Sequence, residues 1–287
     1  MKRLIVNADD FGLHSSVNQG IIEGYKKGCL RSTSLVVAGA SAEEAVALAH
    51  DNPNLGVGVH LTLVAERPVL PPDQIPSLIG QNGYLLPDHA AFICRYMSGG
   101  IRKAELRAEC EAQILLAKKM GVRPTHLDSH QHLHVLPGVA QIIVDLALQY
   151  SIMKIRLPAE PVFFRGGYPA SLGRYVSKCG LTMCARMAKN AIHHAKINTP
   201  DYFFGMLAGG HLYEHYFLSI LRALPDGISE IMVHPGKNNR ALNDIYHWEY
   251  HWEEELASVT SAEAMEIIKE RQIDLISYGE LSDGEIL

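Results

Sequence analysis

With 287 residues, 47% of them hydrophobic and 20% charged, the chain can build a large folded core and reaches the size of an α/β barrel, about 250 residues. A net charge of -5 argues against a nucleic-acid-binding surface, and no apolar run reaches the roughly 18 residues of a membrane span. The five cysteines form no CxxC pair and the opening residues, MKRLIVNADD, lack the apolar segment of a secretion signal, so we expect a cytoplasmic protein without disulfides or a thiolate zinc site.

The first predicted strand ends in two adjacent carboxylates. Leu4, Ile5 and Val6 form an apolar run typical of a parallel sheet covered on both faces, and Asp9 and Asp10 follow it. The carboxyl ends of such strands are where α/β proteins gather ligands. Neighbouring carboxylates repel each other unless a cation or a donor lies between them, so the pair indicates a metal or proton-transfer site. The same pattern would arise if one Asp capped the next helix and the other were simply exposed to solvent.

Strand and helix patterns alternate along the rest of the chain. Helical spacing after the first strand stops at Gly28, and two capping boxes, Ser41 with Glu44 and Thr260 with Glu263, predict two further helix starts. Further strands are predicted at 32–37, 55–63, within THLDSHQHLH, and at 153–157, 202–206, 229–234 and 273–278. Eight such units predict an α/β fold, a distorted (β/α) barrel in which one strand is irregular or missing from closure.

Two segments depart from this alternation within the single barrel domain that we expect over 1–287. Residues 64–90 carry five prolines and form an insertion that begins at the end of the sheet where His60 lies. Residues 161–200 contain six Lys or Arg and no acid. They predict a helix with Arg174, Lys178 and Arg186 on one side. The opposite side carries an apolar stripe of Val176, Cys179, Met183 and Met187. An ordinary solvated barrel helix and a transient contact with an anionic membrane both fit this pattern.

Acids and imidazoles from several strand ends converge on one rim of the predicted barrel. Asp10 ends the first strand, His60 ends the third, and His126, Asp128 and His130 end the fourth at every second position. Two imidazoles and one carboxylate suit zinc or another divalent metal and leave open positions, as in a catalytic site.

Four separated blocks resemble, in order, the signature blocks of the YdjC-like carbohydrate deacetylases, the family that includes chitooligosaccharide deacetylase. They are NADDFG at 7–12, GVHLTL at 58–63, PTHLDSHQHLH at 124–134 and IMVHPG at 231–236. The resemblance implies a distorted (β/α) barrel, one divalent metal ion (Zn²⁺ or Mg²⁺), and hydrolysis of the N-acetyl group of an amino sugar. The segment at 66–78, ERPVLPPDQIPSL, is similar to the proline-rich insertion of the hopanoid-biosynthesis-associated members, whereas DSHQHLH is nearer the general family form.

The resemblance also implies roles for individual residues. It implies that Asp10, His60 and His130 are the metal ligands. It further implies that Asp9 is the general base, that His234 is the general acid, and that Arg156 orients the base or the substrate. Asp128 is expected to orient a ligand histidine. For His234, the alternative without a catalytic role is a histidine that caps or packs at a Pro-Gly turn.

Other functions stay open at this stage. A barrel phosphoesterase would use two or three metal ions, and a non-catalytic carbohydrate-binding barrel would not need Asp9 as well as Asp10. The expected partner is an amino-sugar substrate, with an N-acetylglucosaminyl lipid of the hopanoid type favoured over free chitobiose because the insertion is apolar and the helix basic. A transient membrane contact and a homodimer are further expectations.

Overall fold

A computed structural model describes residues 1–164 and 166–281; Arg165 of the acid-free segment and the last six residues lie outside this part. One parallel sheet contains seven strands within the described residues: β1 Lys2–Phe11, β2 Ser32–Leu35, β3 Gly56–Leu61, β4 Leu127–Ser129, β5 Tyr202–Phe204, β6 Gly227–Val233 and β7 Ile273–Leu275.

Helices surround the sheet, as the alternating pattern predicts. In the described part they are α1 Ser15–Lys27, α2 Ala42–His50, α3 His89–Met97, α4 Lys103–Lys119, α5 Val139–Gln149, α6 Leu172–His194, α7 Glu214–Ala223, α8 Asn239–Tyr246, α9 Trp252–Val259 and α10 Ala262–Glu270. Of these, α3, α8 and α9 are not among the predicted elements. Among these helices, none combines the length and apolar character needed to cross a membrane.

Strand β1 is the centre of the sheet. The strands run in the order β4-β3-β2-β1-β6-β5, and every pairing is parallel. One edge of β1 pairs with β6 from Lys2 to Ala8. The other edge is shared, because β7 pairs with Lys2–Leu4 and β2 pairs from Asn7 onward.

The predicted fifth strand, 153–157, is the irregular one. Only isolated bridges form here, from Ile155 to Leu127 and from Lys154 to Asn198. The chain that bonds to this segment at Asn198 continues directly into β5, which pairs with β6. These contacts continue the ring of strands from β4 round to β6, so the predicted distorted (β/α) barrel with one irregular strand is confirmed.

Both predicted capping boxes are wrong. Ser41 precedes α2 but makes no side-chain cap, because Glu44 instead accepts hydrogen bonds from Ser15 and Asn18 of α1. Thr260 ends α9, and α10 is capped by the next residue, Ser261, whose hydroxyl accepts from the backbone of the first turn. Tertiary contacts and a one-residue shift therefore decide these two helix starts.

The proline-rich insertion packs against the barrel. Ile75 and Leu78 are fully buried in the hydrophobic core. Glu109 of α4 accepts hydrogen bonds from the backbone amides of Val69 (2.8 Å) and Leu70 (3.0 Å). The side chains of Ile75 and Leu78 are thus used inside the protein rather than for an outside contact.

Candidate active site

Three predicted metal ligands meet at the carboxyl ends of the strands. Asp10 comes from β1, His60 from β3 and His130 from the residue after β4. One ligand atom of each lies within 4.8 Å of the others, and all three side chains are buried or nearly so. The structure therefore brings together the residues that the sequence placed on one rim.

A break in the pairing of β1 explains how two adjacent aspartates reach the same place. In a regular strand, Asp9 and Asp10 would point to opposite faces of the sheet. Here the register between β1 and β2 shifts after Ala8, and Asp10 has a left-handed φ of 67°. As a result His60 Nε2 lies 3.9 Å from Asp9 Oδ2 and 3.6 Å from Asp10 Oδ1.

His60 is oriented by a second carboxylate. Its Nδ1 lies 2.8 Å from Asp128 Oδ1, so a proton on Nδ1 leaves Nε2 free to face Asp10. Burial opposes the charged imidazole, but the carboxylates of Asp128, Asp9 and Asp10 outweigh burial and raise the pKa of His60 to about 9. The expected contact between Asp128 and a ligand-type histidine is present.

The histidines that follow β4 no longer face the same side once the strand has ended. Gln131 and His132 have left-handed φ values of 56° and 57°, so the alternation of side chains stops after His130. His130 Nδ1 faces Asp10 Oδ1 at 3.1 Å. His132 packs against Phe203, and His134 donates to the carbonyl of Arg156.

His126 lies outside the group of metal ligands. Its ring stacks on Tyr278 with 3.8 Å between centroids, and its Nε2 lies 3.1 Å from Ser34 Oγ. Burial lowers the pKa of His126 to about 3, so the ring is neutral. It packs inside the sheet beneath the site.

Arg156 is fully buried among three carboxylates. It donates to Asp9 at 2.7 Å from two nitrogens, and it lies 2.8 Å from Asp128 Oδ2 and 2.8 Å from Glu230 Oε1. Burial raises the pKa of Glu230 to about 7, and Tyr278 donates to its other oxygen at 2.5 Å. Glu230 was missed in the sequence, although a lone acid inside the apolar run of β6 is the signal that could have found it.

His234 follows β6 at the same rim. Its Nδ1 is 3.7 Å from Glu255 Oε2, and Glu255 also accepts hydrogen bonds from the amides of His234 and Leu212. Burial opposes the charge on His234, but Glu255, Asp10 and Asp9 together hold its pKa above the ordinary value. Glu255 lies in α9, a helix that sequence patterns did not predict.

The donor set fits a divalent cation. Asp10 Oδ2 is buried without a hydrogen-bond partner among the described residues. A set of two imidazole nitrogens and one carboxylate suits zinc better than magnesium, because magnesium typically binds oxygen ligands only. Asp9, His60 and Asp128 form a second such group, but Arg156 already binds both of its carboxylates. The carboxylate oxygen that is left for a cation therefore belongs to Asp10.

Comparisons with known proteins identify the relatives of this chain. A family model described as YdjC-like protein matches residues 3–270. A carbohydrate deacetylase of Geobacillus stearothermophilus is 32% identical over 277 residues, covering 96% of each chain. A carbohydrate deacetylase of Mus musculus is 34% identical over 244 residues, covering 82% of this chain and 78% of its own.

A solved structure shares the fold. It belongs to a protein of Enterococcus faecalis V583 described as a candidate cellobiose-phosphate cleavage protein, superimposes with a TM-score of 0.78 and is 28% identical. The match covers 98% of this chain and 99% of that one. By its sequence over nearly the whole length and by its fold, the chain belongs to the YdjC-like protein family.

Proposed function

We propose that this protein is a metal-dependent carbohydrate deacetylase that hydrolyses the N-acetyl group of an N-acetylglucosamine-containing substrate. The relatives named carbohydrate deacetylase support the reaction class. The observation that carries the proposal is the placement of Asp10, His60 and His130 beside a second, arginine-bound carboxylate, Asp9. Such a pairing provides a cation site and a separate proton acceptor, which are the two needs of amide hydrolysis.

In this proposal Asp10, His60 and His130 hold one divalent ion, with zinc favoured by the two imidazoles. When bound, the ion makes water more acidic and polarises the acetyl carbonyl. Asp128 fixes His60 through its Nδ1, so that Nε2 stays available as a ligand.

Proton transfer is assigned to Asp9 and His234. Asp9 accepts a proton from the attacking water, and Arg156 holds this carboxylate in one orientation through two hydrogen bonds. His234 donates a proton to the amine as the C–N bond breaks, and the nearby carboxylates, which raise its pKa, favour the charged form that this step requires.

A barrel phosphoesterase, which the sequence leaves open, is the alternative. Such enzymes commonly bind a second metal ion. The second candidate group here shares His60 with the first, and its carboxylates, Asp9 and Asp128, are bound to Arg156. One metal ion, and hence the deacetylase, is the better fit.

The preference for a hopanoid-type lipid over free chitobiose loses one of its two supports. Ile75 and Leu78 of the insertion are buried, and Lys178 points inward to the carbonyls of Pro161 and Phe164. The apolar side of α6 remains exposed, with Val176, Met183 and Met187 between 58% and 61% accessible. We therefore propose free and lipid-linked N-acetylated sugars as equal candidates, and the transient membrane contact stays a prediction.

The test is release of acetate from a panel of N-acetylated sugars, both free and lipid-linked, by the purified protein loaded with zinc. Acetate from at least one of them, lost after removal of the metal, is the expected result. Release of phosphate from a phosphorylated disaccharide without any acetate would replace the proposal with the phosphoesterase. The expected homodimer, the cytoplasmic location and the single domain over 1–287 also stay predictions.

A further inference from the structure

An indole ring lies beside the metal-ligand group and has no role in the proposed chemistry. Trp248, in the segment between α8 and α9, has its ring centroid 5.3 Å from that of His130 and 4.9 Å from that of Tyr246. Its side chain is only partly buried. Within the described part of the chain, its indole N–H has no hydrogen-bond partner. A large aromatic face is therefore available next to the reacting groups.

The backbone holds this ring in place. His247 and Glu249, on either side of Trp248, both have left-handed φ values, 54° and 56°. Non-glycine residues adopt this conformation at a cost, and two of them around one side chain persist only where the surroundings fix them. Asn243 braces the segment by donating to the carbonyl of Tyr250 at 3.2 Å. The indole is thus positioned before any ligand arrives.

A carboxylate from the proline-rich insertion lies close to the same ligands. Glu66 follows β3 by only five residues, at the rim to which His60 belongs, and its charge interacts with those of His130 and Asp10. Its side chain is partly buried, yet no hydrogen bond or ion pair is formed by its carboxylate within the described residues. A half-buried acceptor without a donor is normally satisfied by solvent or by a ligand.

Together, the two side chains match the two kinds of surface that a pyranose ring offers. One face of the ring is made of C–H groups, which pack on an aromatic ring, and its rim carries hydroxyl donors, which bind a carboxylate. Small-molecule sites combine such an apolar wall with a few placed polar groups.

Resting on the proposed deacetylase function, we infer that Trp248 and Glu66 form the saccharide subsite that presents the acetamido group to the metal ligands. Trp248 stacks on the sugar ring and Glu66 accepts hydrogen bonds from its hydroxyl groups. Both are positioning residues that bind the sugar without taking part in proton transfer.

The chain offers a direct spectroscopic test because it contains only two tryptophans. Trp252 is 1% exposed and its ring centroid lies 6.4 Å from that of Trp248, so a sugar stacked on Trp248 should change the fluorescence mainly through Trp248. The wild-type protein is titrated with the β-1,4-linked glucosamine disaccharide, which has no acetyl group to lose, and with its diacetylated form. We expect a saturable change in fluorescence with at least one of them, and its disappearance in Trp248→Phe.

Acetate-release kinetics give the second readout. Trp248→Ala and Glu66→Ala should each raise KM about tenfold, the effect of one lost stacking or hydrogen-bonding contact, with kcat changed less than KM. Tyr202→Ala, at the other end of the sheet, and Glu43→Ala, on the exposed side of α2, are matched controls and should behave as the wild type. Trp248→Phe, which keeps an aromatic face, should fall between Trp248→Ala and the wild type.

The outcomes separate this inference from the proposed function. A fluorescence change of undiminished size in Trp248→Phe, no saturable change with either disaccharide, or an unaltered KM in Trp248→Ala overturns the subsite even when the wild type releases acetate. A change that vanishes in Trp248→Phe supports the subsite even when no acetate is released, in which case only the proposed reaction fails.

Discussion

Arg156 and Asp9 form a two-point ion pair in which both guanidinium donors lie 2.7 Å from the carboxylate oxygens. Both side chains are buried, so the pair is only weakly screened by solvent. The carboxylate is held in one orientation beside the group of proposed metal ligands. The proposed base and the proposed metal ligand are therefore separate groups, although they are neighbours in sequence.

Asp9→Asn should retain the metal but lower kcat by about 10²–10⁴, because an amide of nearly the same shape cannot accept the proton of water. Metal content and acetate release are measured on the same preparation. Asp145→Asn, on the exposed side of α5, is the matched control and should be fully active. Near-normal acetate release by Asp9→Asn would exclude Asp9 as the base.

The purified protein should contain one tightly bound divalent ion per chain. His60→Ala should lose it, since this substitution removes one of three ligands from a group that lies within 4.8 Å. Elemental analysis of both proteins checks the stoichiometry, with His194→Ala, an exposed residue at the end of α6, as control. Two or more tightly bound ions, or undiminished binding by His60→Ala, would contradict the assignment.

The metal-free protein should lose stability as the pH rises from about 6.5 to about 9. In the fold, the pKa of His60 is raised from the ordinary 6.5 to about 9 by its three carboxylate neighbours, against the opposing effect of burial. A raised pKa stabilises the fold fully below the unfolded value and no longer does so above the folded one. Thermal unfolding in EDTA checks this, and His60→Gln should reduce the slope.

With the metal bound the dependence reverses, because a ligand imidazole must be neutral and metal affinity then rises with pH. A metal-free Tm that is flat between these pH values, or a slope that His60→Gln leaves intact, would show that His60 does not gain its proton in the fold.

His234→Ala should slow deacetylation most for substrates whose leaving amine is the least acidic, because such amines depend most on protonation as they leave. A series of N-acyl compounds with graded amine pKa values measures this as a change in slope against the wild type. An equal loss across the series would instead indicate that His234 positions the substrate.

Gly58→Ala should destabilise the protein by about 1–3 kcal/mol, the usual effect of overpacking. A Cβ at Gly58 would lie 2.4 Å from the ring of His126, which cannot retreat because it stacks on Tyr278. Gly180→Ala, on the open side of α6 with nothing within 4 Å, is the matched control and should stabilise by about 0.5–1 kcal/mol. Urea unfolding measures both, and equal stability of the two variants would contradict the predicted contact.

The sequence indicated the site well where its residues end predicted strands. Asp10, His60 and His130 follow apolar runs, and the shared rim of a parallel sheet then brings them together. The alternation after β4 could not show which histidine would be the last to face the site, because the left-handed turn at Gln131 is formed without a glycine.

Partners that come from distant elements could not be predicted. Glu255 and Trp248 lie in 239–259, where two short helices and a strained connection leave no clear period in the sequence. The register shift that turns both Asp9 and Asp10 toward His60 likewise depends on pairing between strands and has no local signal.

The position of β1 between β6 and β7 has a consequence for the order of folding. Its partners on either side at Lys2–Leu4 are residues more than two hundred positions later in the chain, so these contacts have a very large sequence separation. On the ribosome, the end of the first strand can pair with β2 early, but its beginning must wait for nearly the whole chain before it is paired on both sides. Asp10 at the end of β1 can therefore meet His60 and His130 through the neighbouring strands β2, β3 and β4, whereas His234 at the end of β6 joins the same rim only in the last stage of folding, so a truncated or stalled chain carries the proposed metal ligands without the proposed acid.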